Sequence, residues 1–337
     1  MSVQRDWTPA NLKKAFFPVE ERPAFWMDED RKHHFIPGQK VLVDAERNHP
    51  LAVVSEHYHV ITNEEAYRKA DIIVQGVFDG RPLGSFECYN VMMPSTRSSC
   101  RMDFIIPQSG FSAFGDRRES YTPFLRISNS YNRTLVLRYE IGFCRWICLN
   151  GCIFGAKSYT ATFIHSLQKK QRSIDEAIAE ARRTIGSIED IWSVLERKLT
   201  TLADIMVPFE HVLSVFCQVF GIPNVDKAEV SVNSVDRYAA RAEHFLKQAK
   251  SYYDELGPTA YALFNALTDV ASFPDGESMD STYVHGYQRK VGAWADELVT
   301  AAGRRGFQFK DSVSEAARES ATALRKRMEK EPVLVRK

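Results

Sequence analysis

Arginine is concentrated in one part of this chain of 337 residues, between Arg81 and Lys157. That segment holds ten basic and five acidic residues, whereas the formal net charge of the whole chain is only +1. A guanidinium group can bind phosphate through two parallel hydrogen bonds and can stack on a nucleobase. Because tyrosine and phenylalanine occur among these arginines, the segment has the composition of a surface that holds single-stranded nucleic acid.

The predicted nucleic-acid contacts lie in and next to two candidate strands. Arginines would hold the phosphate groups, and Tyr131 and Tyr139 would stack on bases. The main arginines are Arg126, Arg133, Arg138 and Arg145, and those that would extend the groove are Arg97, Arg101, Arg117 and Arg118. Arg126 and Arg138 alternate with apolar residues within their strands, so we expect them to share one face of a sheet. The alternative is that these arginines point to solvent or pair with acidic residues of helices.

The cysteines give little support for a metal site. Cys144, Cys148 and Cys152 recur every four residues, but no second cysteine pair and no histidine pair follows at the spacing of a zinc site. We interpret the three as small buried thiols and predict that the protein holds no metal and no cofactor.

No catalytic pattern is present either. The chain has no glycine-rich phosphate loop, no G-x-S-x-G motif and no H-E-x-x-H motif. An enzyme would require His57, His59 and His165 to converge with a carboxylate. We therefore predict no catalytic residue.

The composition is that of a globular protein, with 44% hydrophobic and 26% charged residues. No apolar run reaches the roughly 18 to 20 residues that are needed to span a bilayer. The first residues lack the apolar core of a secretory signal. We expect a cytoplasmic protein with no membrane partner.

The elements that would position these residues predict an α+β fold, with an antiparallel β-rich N-terminal half followed by a mainly helical C-terminal half. Residues 1–60 would be an irregular segment with one short strand, and residues 61–157 a β-rich, arginine-bearing region. Residues 158–312 would be helical and packed on the sheet, and residues 313–337 would form a charged, exposed tail helix. Strands are predicted over residues 72–78, 84–92, 101–106, 124–128 and 134–142.

Three blocks of sequence resemble a known family. They are V-S-E-H-Y at residues 54–58, I-S-N-S-Y at 127–131 with R-W-I-C-L-N-G at 145–151, and T-A-Y-A-L-F-N-A-L-T at 259–268. The residues that carry the match are Asn129, Ser130, Asn150, Gly151, His165 and Asn265. On these blocks the chain is similar to the phage/plasmid-like proteins of the domain-of-unknown-function 932 family (DUF932). One departure is that Asn132-Arg133 stands where the family has Asp-Gly, so we expect the tight glycine turn to be lost.

The resemblance implies an accessory protein of a phage, a prophage or a mobile plasmid, and it brings no catalytic mechanism with it. A sheet followed by helices is also the layout of phage single-strand annealing proteins, which is an analogy of fold only. Our first hypothesis is binding of single-stranded DNA on the arginine-rich sheet, in strand annealing or recombination and as a homo-oligomer. The second is a counter-defence or regulatory module that binds a host protein through an exposed apolar patch in the helical half. The third is an enzyme.

Overall fold

The computed structural model describes residues 9–77, 83–105, 111–115, 120–145, 150–152, 160–163, 176, 188–227, 230–273 and 284–330. In these residues the N-terminal half forms two antiparallel sheets, and the C-terminal half is mostly helical. The predicted fold class is confirmed. No helix in the described part of the chain is long and apolar enough to cross a membrane.

The described residues 19–55 form a three-stranded sheet, where the sequence predicted an irregular segment with one short strand. Its strands are β1 (Val19–Met27), β2 (His33–Asp44) and β3 (His49–Ser55), in the order β1-β2-β3. The prolines that suggested irregularity occupy positions that a sheet tolerates. Pro23 and Pro50 lie on the two edge strands, and Pro37 lies outside the stretch Gln39–Asp44, where β2 pairs with β3.

The part of the central sheet that the structure describes contains seven strands. They are β4 (Glu87–Met92), β5 (Ser99–Ile105), β6 (Phe111–Ser112), β7 (Ser120–Ser130), β8 (Leu137–Arg145), β9 (Asn150–Cys152) and β10 (Thr160–Phe163). The main order is β10-β8-β7-β5-β4, with β6 paired to β7 and β9 paired to β8. Four of the predicted strands are confirmed with small shifts at their ends. Strand β10 was missed, since it lies in the region predicted to be helical.

The predicted strand over residues 72–78 is wrong for residues 72–77, because they belong to helix α1 (Asn63–Val77). Ala66, Ala70 and Val74 are fully buried and lie four residues apart, which is the spacing of a helix face rather than a strand. Helix α1 packs on one face of the central sheet, against the apolar side chains of β5, β7 and β8.

Six helices form the described C-terminal half: α2 (Ile188–Asp204), α3 (Val212–Phe220), α4 (Val232–Leu256), α5 (Ala260–Ser272), α6 (Val284–Ala302) and α7 (Glu315–Lys330). Every residue of α5 is buried, so α5 is the centre of this half. Helix α7 is not the exposed tail that its charge suggested. Ala317, Ala321 and Leu324 are buried and recur at helical spacing, so one face of α7 packs on the core.

Candidate functional site

One face of the central sheet carries charged side chains in two adjacent rows. In the first row Arg126 of β7 lies between Asp103 of β5 and Glu140 of β8. In the second row Ser128 of β7 lies between Arg101 and Arg138, its partners on the same two strands. Side chains two residues apart on a strand point to the same side, so both rows share one face. The prediction that Arg126 and Arg138 share a face is thereby confirmed.

Helix α6 covers part of this face. His285 and Arg289 lie one turn apart on α6, and both reach Glu140. The His285 Nε2 atom is 3.6 Å from Oε2 of Glu140, and the Arg289 Nη1 atom is 3.4 Å from Oε1. We use the name arginine cluster for the seven charged or titratable residues that meet here. They are Arg101, Asp103, Arg126, Arg138, Glu140, His285 and Arg289.

The floor of the arginine cluster is a buried ion pair between Arg126 and Asp103. Arg126 is fully buried, and it donates from Nε and Nη2 to the two carboxylate oxygens of Asp103, each at 2.6 Å. Burial alone would lower the pKa of Arg126, but Asp103 outweighs it and raises that pKa above its usual value. The geometry is the bidentate one that makes a buried pair specific, and both carboxylate oxygens of Asp103 are engaged.

His285 is neutral and has a defined tautomer. Arg126 donates from Nη1 to Nδ1 of His285 at 3.2 Å. A guanidinium group can only donate, so Nδ1 is the acceptor and Nε2 carries the hydrogen that faces Glu140. Burial and then the charges of the surrounding arginines lower the pKa of His285 to about 2.

Glu140 differs from Asp103 in its hydrogen bonding, although both are fully buried carboxylates. Neither oxygen of Glu140 accepts a hydrogen bond from any residue that the structure describes. Its nearest cations are Arg289 at 3.4 Å and Arg138 at 3.7 Å, longer than the roughly 2.7–2.9 Å of a charge-assisted hydrogen bond. Burial raises the pKa of Glu140, and the arginines only partly offset that effect.

Positive charge is in excess in the arginine cluster. Among the described residues it contains four guanidinium groups and two carboxylates. Burial and then the charge of Arg126 lower the pKa of Arg101, which is the direction expected for a cation in surroundings that are already positive. Buried polar atoms of Ser128, Asn90 and Tyr89, on β7 and β4, also find no hydrogen-bond partner within the described part of the chain.

The arginine cluster reaches solvent at several cations, since Arg101 is partly exposed and two others are as well. The side chain of Arg138 is 27% exposed and that of Arg289 is 41% exposed. We call these two residues the rim. An anion could contact the rim from solvent, whereas Arg126 and Glu140 lie behind it.

Four residues predicted to contact nucleic acid lie inside the protein instead. Arg126 and Arg145 are at most 1% exposed, and so are Tyr131 and Tyr139. Tyr131 accepts a hydrogen bond from the backbone N–H of Asn63. Tyr139 lies on the opposite face of the sheet from Arg138, where its hydroxyl donates to a backbone carbonyl of α1. These four side chains are therefore not part of any surface that a nucleic acid could reach in this fold.

The remaining predicted arginines divide into three groups. Arg101 and Arg138 belong to the arginine cluster. Arg97 is largely buried and pairs with Asp44 and Glu46, so it joins the two sheets. Arg133 is exposed at the turn between β7 and β8. Arg117 and Arg118 lie outside the described residues.

Arg133 has an unusual backbone conformation in the connection between β7 and β8. Its φ is 64°, in the left-handed region that glycine favours. The β7–β8 pairing ends at Ser128 and Arg138, so the connection is a loop rather than a tight turn, as expected from the missing glycine. Asn132 supports it, because its side-chain oxygen accepts hydrogen bonds from the backbone and hydroxyl of Thr134.

The residues that carry the family resemblance stabilise the fold. Asn129 is fully buried and donates to the Ile61 carbonyl and to the Asn63 side chain, which ties β7 to the start of α1. The Ser130 hydroxyl donates to the Leu135 carbonyl across the turn, and Asn265 donates to the carbonyl four residues before it. Asn150 and Gly151 lie in β9, and His165 is outside the described residues.

The alternative sites suggested by histidine and cysteine do not form in the described residues. His57 and His59 are exposed. Cys144 is a buried free thiol, as predicted, whereas the placement of Cys148 is not described. The described residues contain no group of three histidine, cysteine or acidic residues that is placed to hold a metal.

Sequence reasoning missed Asp103, Glu140, His285 and Arg289 as members of the site. The sequence contained a signal for the residues on the strands. Charged residues at inward-pointing positions of apolar strands, such as Glu140 two residues after Arg138, are unusual because an unpaired buried charge is costly. The contribution of α6 had no such signal, since His285 and Arg289 look like any two charged residues on an amphipathic helix.

Comparison with known proteins gives one match. The profile of a family described as a domain of unknown function (DUF932) matches residues 50–272. The match includes both rows of the charged sheet face, whereas His285 and Arg289 lie beyond its end. No curated protein and no solved structure matches the chain.

Proposed function

The chain belongs to the DUF932 family, and we propose that it binds single-stranded nucleic acid by placing phosphate groups at the rim of the arginine cluster. In this proposal the protein is a cytoplasmic accessory factor of a phage, a prophage or a plasmid, and it acts in strand annealing or recombination. The observation that carries the proposal is that two partly exposed arginines, Arg138 and Arg289, share a single carboxylate, that of Glu140, in the described residues.

Charge supports an anionic ligand at this place. Arg126 is paired with Asp103, so Arg138 and Arg289 have one carboxylate, that of Glu140, between them in the described residues. Guanidinium groups that lie close together and partly out of solvent are unfavourable unless anions compensate them. A phosphate group at the rim would supply the missing charge and would accept hydrogen bonds from both arginines.

The proposed contact set is smaller than the one predicted from sequence. It consists of Arg138 and Arg289 at the rim, with Arg101 in the same row of the sheet as Arg138. Tyr131 and Tyr139 are buried and offer no stacking surface, so binding would be mainly electrostatic and tolerant of base sequence. Arg133 is exposed on the turn after β7 and stays a separate predicted contact.

The test is fluorescence anisotropy of a labelled oligothymidine over a salt series, with Arg138→Ala/Arg289→Ala as the rim variant. Two rim contacts on a single strand correspond to a slope of about −1.4 in log affinity against log salt. We expect the rim variant to lose at least tenfold in affinity at low salt and to lose that part of the slope.

A matched control removes two exposed arginines outside the cluster, Arg68 on α1 and Arg237 on α4. Arg68→Ala/Arg237→Ala has the same net charge as the rim variant, and it should bind like the wild-type protein. Arg133→Ala measures the turn alone. Absence of binding by the wild-type protein at low salt, or equal losses in the rim and control variants, would contradict the proposal.

A second candidate function, a protein-binding module, is favoured by a different observation. Phe25, Trp26, Met27 and Phe35 are each more than half exposed, and all lie at the end of the β1–β2 hairpin. Phenylalanine, tryptophan and methionine are enriched at protein interfaces. The sequence predicted an apolar patch in the helical half. There, the described large apolar side chains with high exposure are Met206, Phe209 and Val232.

A further inference from the structure

We propose that Glu140 acts as a built-in competitor of the anion, so that phosphate binding at the rim requires Glu140 to take up a proton. The inference depends on the proposed function, because it concerns the same site and a phosphate-bearing ligand. It assigns to Glu140 the role of setting the affinity of the site and its dependence on pH.

The geometry around Glu140 is that of a shared counter-ion. One oxygen, Oε1, lies 3.7 Å from Nη1 of Arg138 and 3.4 Å from Nη1 of Arg289. The carboxylate is therefore central to both rim cations without forming a hydrogen bond to either of them. The buried Nε of Arg138 also has no hydrogen-bond partner in the described part of the chain. Both guanidinium groups thus retain capacity for a better-placed anion.

Asp103 cannot take this role. Both of its oxygens are engaged by Arg126 at 2.6 Å, so its charge is committed to the floor of the cluster. His285 cannot take it either, because its Nδ1 already accepts a hydrogen bond from Arg126. Of the described titratable groups at this site, Glu140 is the one whose ionised form is least satisfied by hydrogen bonds.

The charged and titratable groups around Glu140 come from five of the described elements. Strand β5 supplies Arg101 and Asp103, β7 supplies Arg126, β8 supplies Arg138, α6 supplies His285 and Arg289, and β4 supplies Tyr89, which interacts with Asp103 and Arg126. Strand β10 pairs with β8 at Glu140 through Thr160 and has no charged residue. Burial raises the pKa of Glu140, three of the arginines lower it, and Asp103 raises it. A phosphate at the rim adds a negative charge that acts in the same direction as Asp103, so it raises the pKa of Glu140 further.

The sign of the pH dependence follows from linkage. Because the pKa of Glu140 is higher in the complex than in the free protein, binding is accompanied by proton uptake. Affinity is greatest below the pKa that Glu140 has in the free protein, and it falls as the pH rises through that value. The decrease in affinity approaches tenfold per pH unit, and it ends above the pKa that Glu140 has in the complex.

The decisive variant is Glu140→Gln, which keeps the shape of the side chain and removes the competing charge. The probe is a labelled oligothymidine without a terminal phosphate, since thymine does not titrate between pH 5 and 8.5. At constant ionic strength we expect wild-type affinity to fall at least tenfold from its acidic plateau as the pH rises. Glu140→Gln should bind independently of pH, and as tightly as the wild-type protein does on that plateau.

The matched control is Glu64→Gln, an exposed glutamate on α1 that pairs with Arg68. Its pH profile should follow that of the wild-type protein. Competition by inorganic phosphate and by a 5′-phosphorylated oligonucleotide shows whether the site takes a backbone phosphodiester or a free phosphate group. Competition at equal strength per phosphate group would indicate that only the shared oxyanion chemistry is recognised.

A second measurement needs no variant. Calorimetric titration of the wild-type protein in two buffers that differ in ionisation enthalpy counts the protons taken up on binding. Net uptake below pH 7 supports the inference. Binding without proton uptake, or a Glu140→Gln variant with the wild-type pH profile, overturns the inference and leaves the proposed function standing. Absence of oligonucleotide binding at every pH overturns both.

Discussion

Arginines that are close in sequence have different roles here because different groups lie opposite them. Arg126 faces a carboxylate on the neighbouring strand and becomes the floor of a buried cluster. Arg97 meets two acidic residues of the first sheet and joins the two sheets. Arg138 has only the shared carboxylate of Glu140 within ion-pair distance in the described residues, and it remains partly exposed. The cross-strand partner, rather than the residue type, decides whether an arginine is structural or available to a ligand.

Two arginines of the basic segment, Arg97 and Arg133, have a backbone conformation in the left-handed region. They therefore allow a matched pair of glycine substitutions. Arg133 has a φ of 64° and Arg97 has a φ of 53°. Arg133 is exposed, so Arg133→Gly removes only backbone strain and should raise the free energy of unfolding by about 0.5–1 kcal/mol. Arg97→Gly also removes two ion pairs with Asp44 and Glu46, one of which is buried. It should therefore lower the free energy of unfolding.

Urea unfolding monitored by circular dichroism measures both changes. A stabilising effect of Arg97→Gly would mean that its ion pairs contribute less than the strain of the backbone. A destabilising effect of Arg133→Gly would mean that the Arg133 side chain makes a contact that its exposure does not suggest.

At the level of elements, hydrophobic periodicity predicted what depends on local sequence. Strands β5, β7 and β8 follow from alternation, which also places Arg126 and Arg138 on one face. The closure of that face could not be predicted, because the hydrogen bond between Arg126 and His285 joins residues 159 positions apart. Apart from one short strand, the first sheet was not predicted, because its prolines are typical of a loop. The second half of α1 was predicted as a strand because it contains a short apolar run. Each error arises where tertiary context outweighs a local signal.

The β1–β2 hairpin is an element whose side chains are exposed on both faces. Trp26 stacks on His34 with ring centres 4.8 Å apart, and Phe25 meets Phe35 edge to face at 5.9 Å. Neighbouring residues of a strand point to opposite sides, so one aromatic pair lies on each face of the ribbon. Pro23 and Pro37 hinder pairing of a further strand with this hairpin. Binding at this element would therefore use side chains rather than backbone.

The hairpin prediction is that Trp26→Ser/Phe35→Ser leaves the fold and the nucleic-acid affinity unchanged but abolishes any protein contact. Each ring is more than half exposed, so removing both should change the free energy of unfolding by less than about 1 kcal/mol. The measurement is binding of purified partner proteins to the wild-type chain and to this variant, with Met206→Ser/Val232→Ser as the control for exposed apolar residues. Loss of nucleic-acid binding in the hairpin variant would contradict the separation of the two surfaces.

On the scale of the whole molecule, the β-rich and helical halves share a core. The hydroxyls of Tyr121 and Tyr261 are hydrogen-bonded at 2.8 Å across the two halves. Phe143 of β8 packs on Trp192 of α2, and α6 lies over the charged face of the sheet. The strands and the helices are therefore layers of one folded unit, and the point where the sequence changes from strands to helices is not a boundary between independent domains.

Because α6 closes the arginine cluster, the stability of the whole fold should depend on the titration of His285 and Glu140, with opposite signs. The folded-state pKa of His285, about 2, lies below its unfolded value of 6.5, so its contribution is lost as the pH falls below 6.5. The folded-state pKa of Glu140 lies above its unfolded value of 4.5, so its contribution is lost as the pH rises from 4.5 through the folded-state pKa. In the wild-type protein the two effects partly cancel.

Single variants separate the two effects. Glu140→Gln leaves the His285 effect, so its free energy of unfolding should fall more steeply than that of the wild-type protein between pH 7 and pH 5, by up to about 1 kcal/mol per pH unit. His285→Gln leaves the Glu140 effect, so its curve should be flatter or should rise toward pH 5. Urea unfolding at each pH gives the difference between each variant and the wild-type protein. The contributions of all other titrating groups cancel in these differences.

The exposed histidine variant His33→Gln should follow the wild-type curve. Parallel curves for Glu140→Gln and His285→Gln would mean that α6 does not close the arginine cluster in solution, because only that closure places both groups where their charged forms are disfavoured.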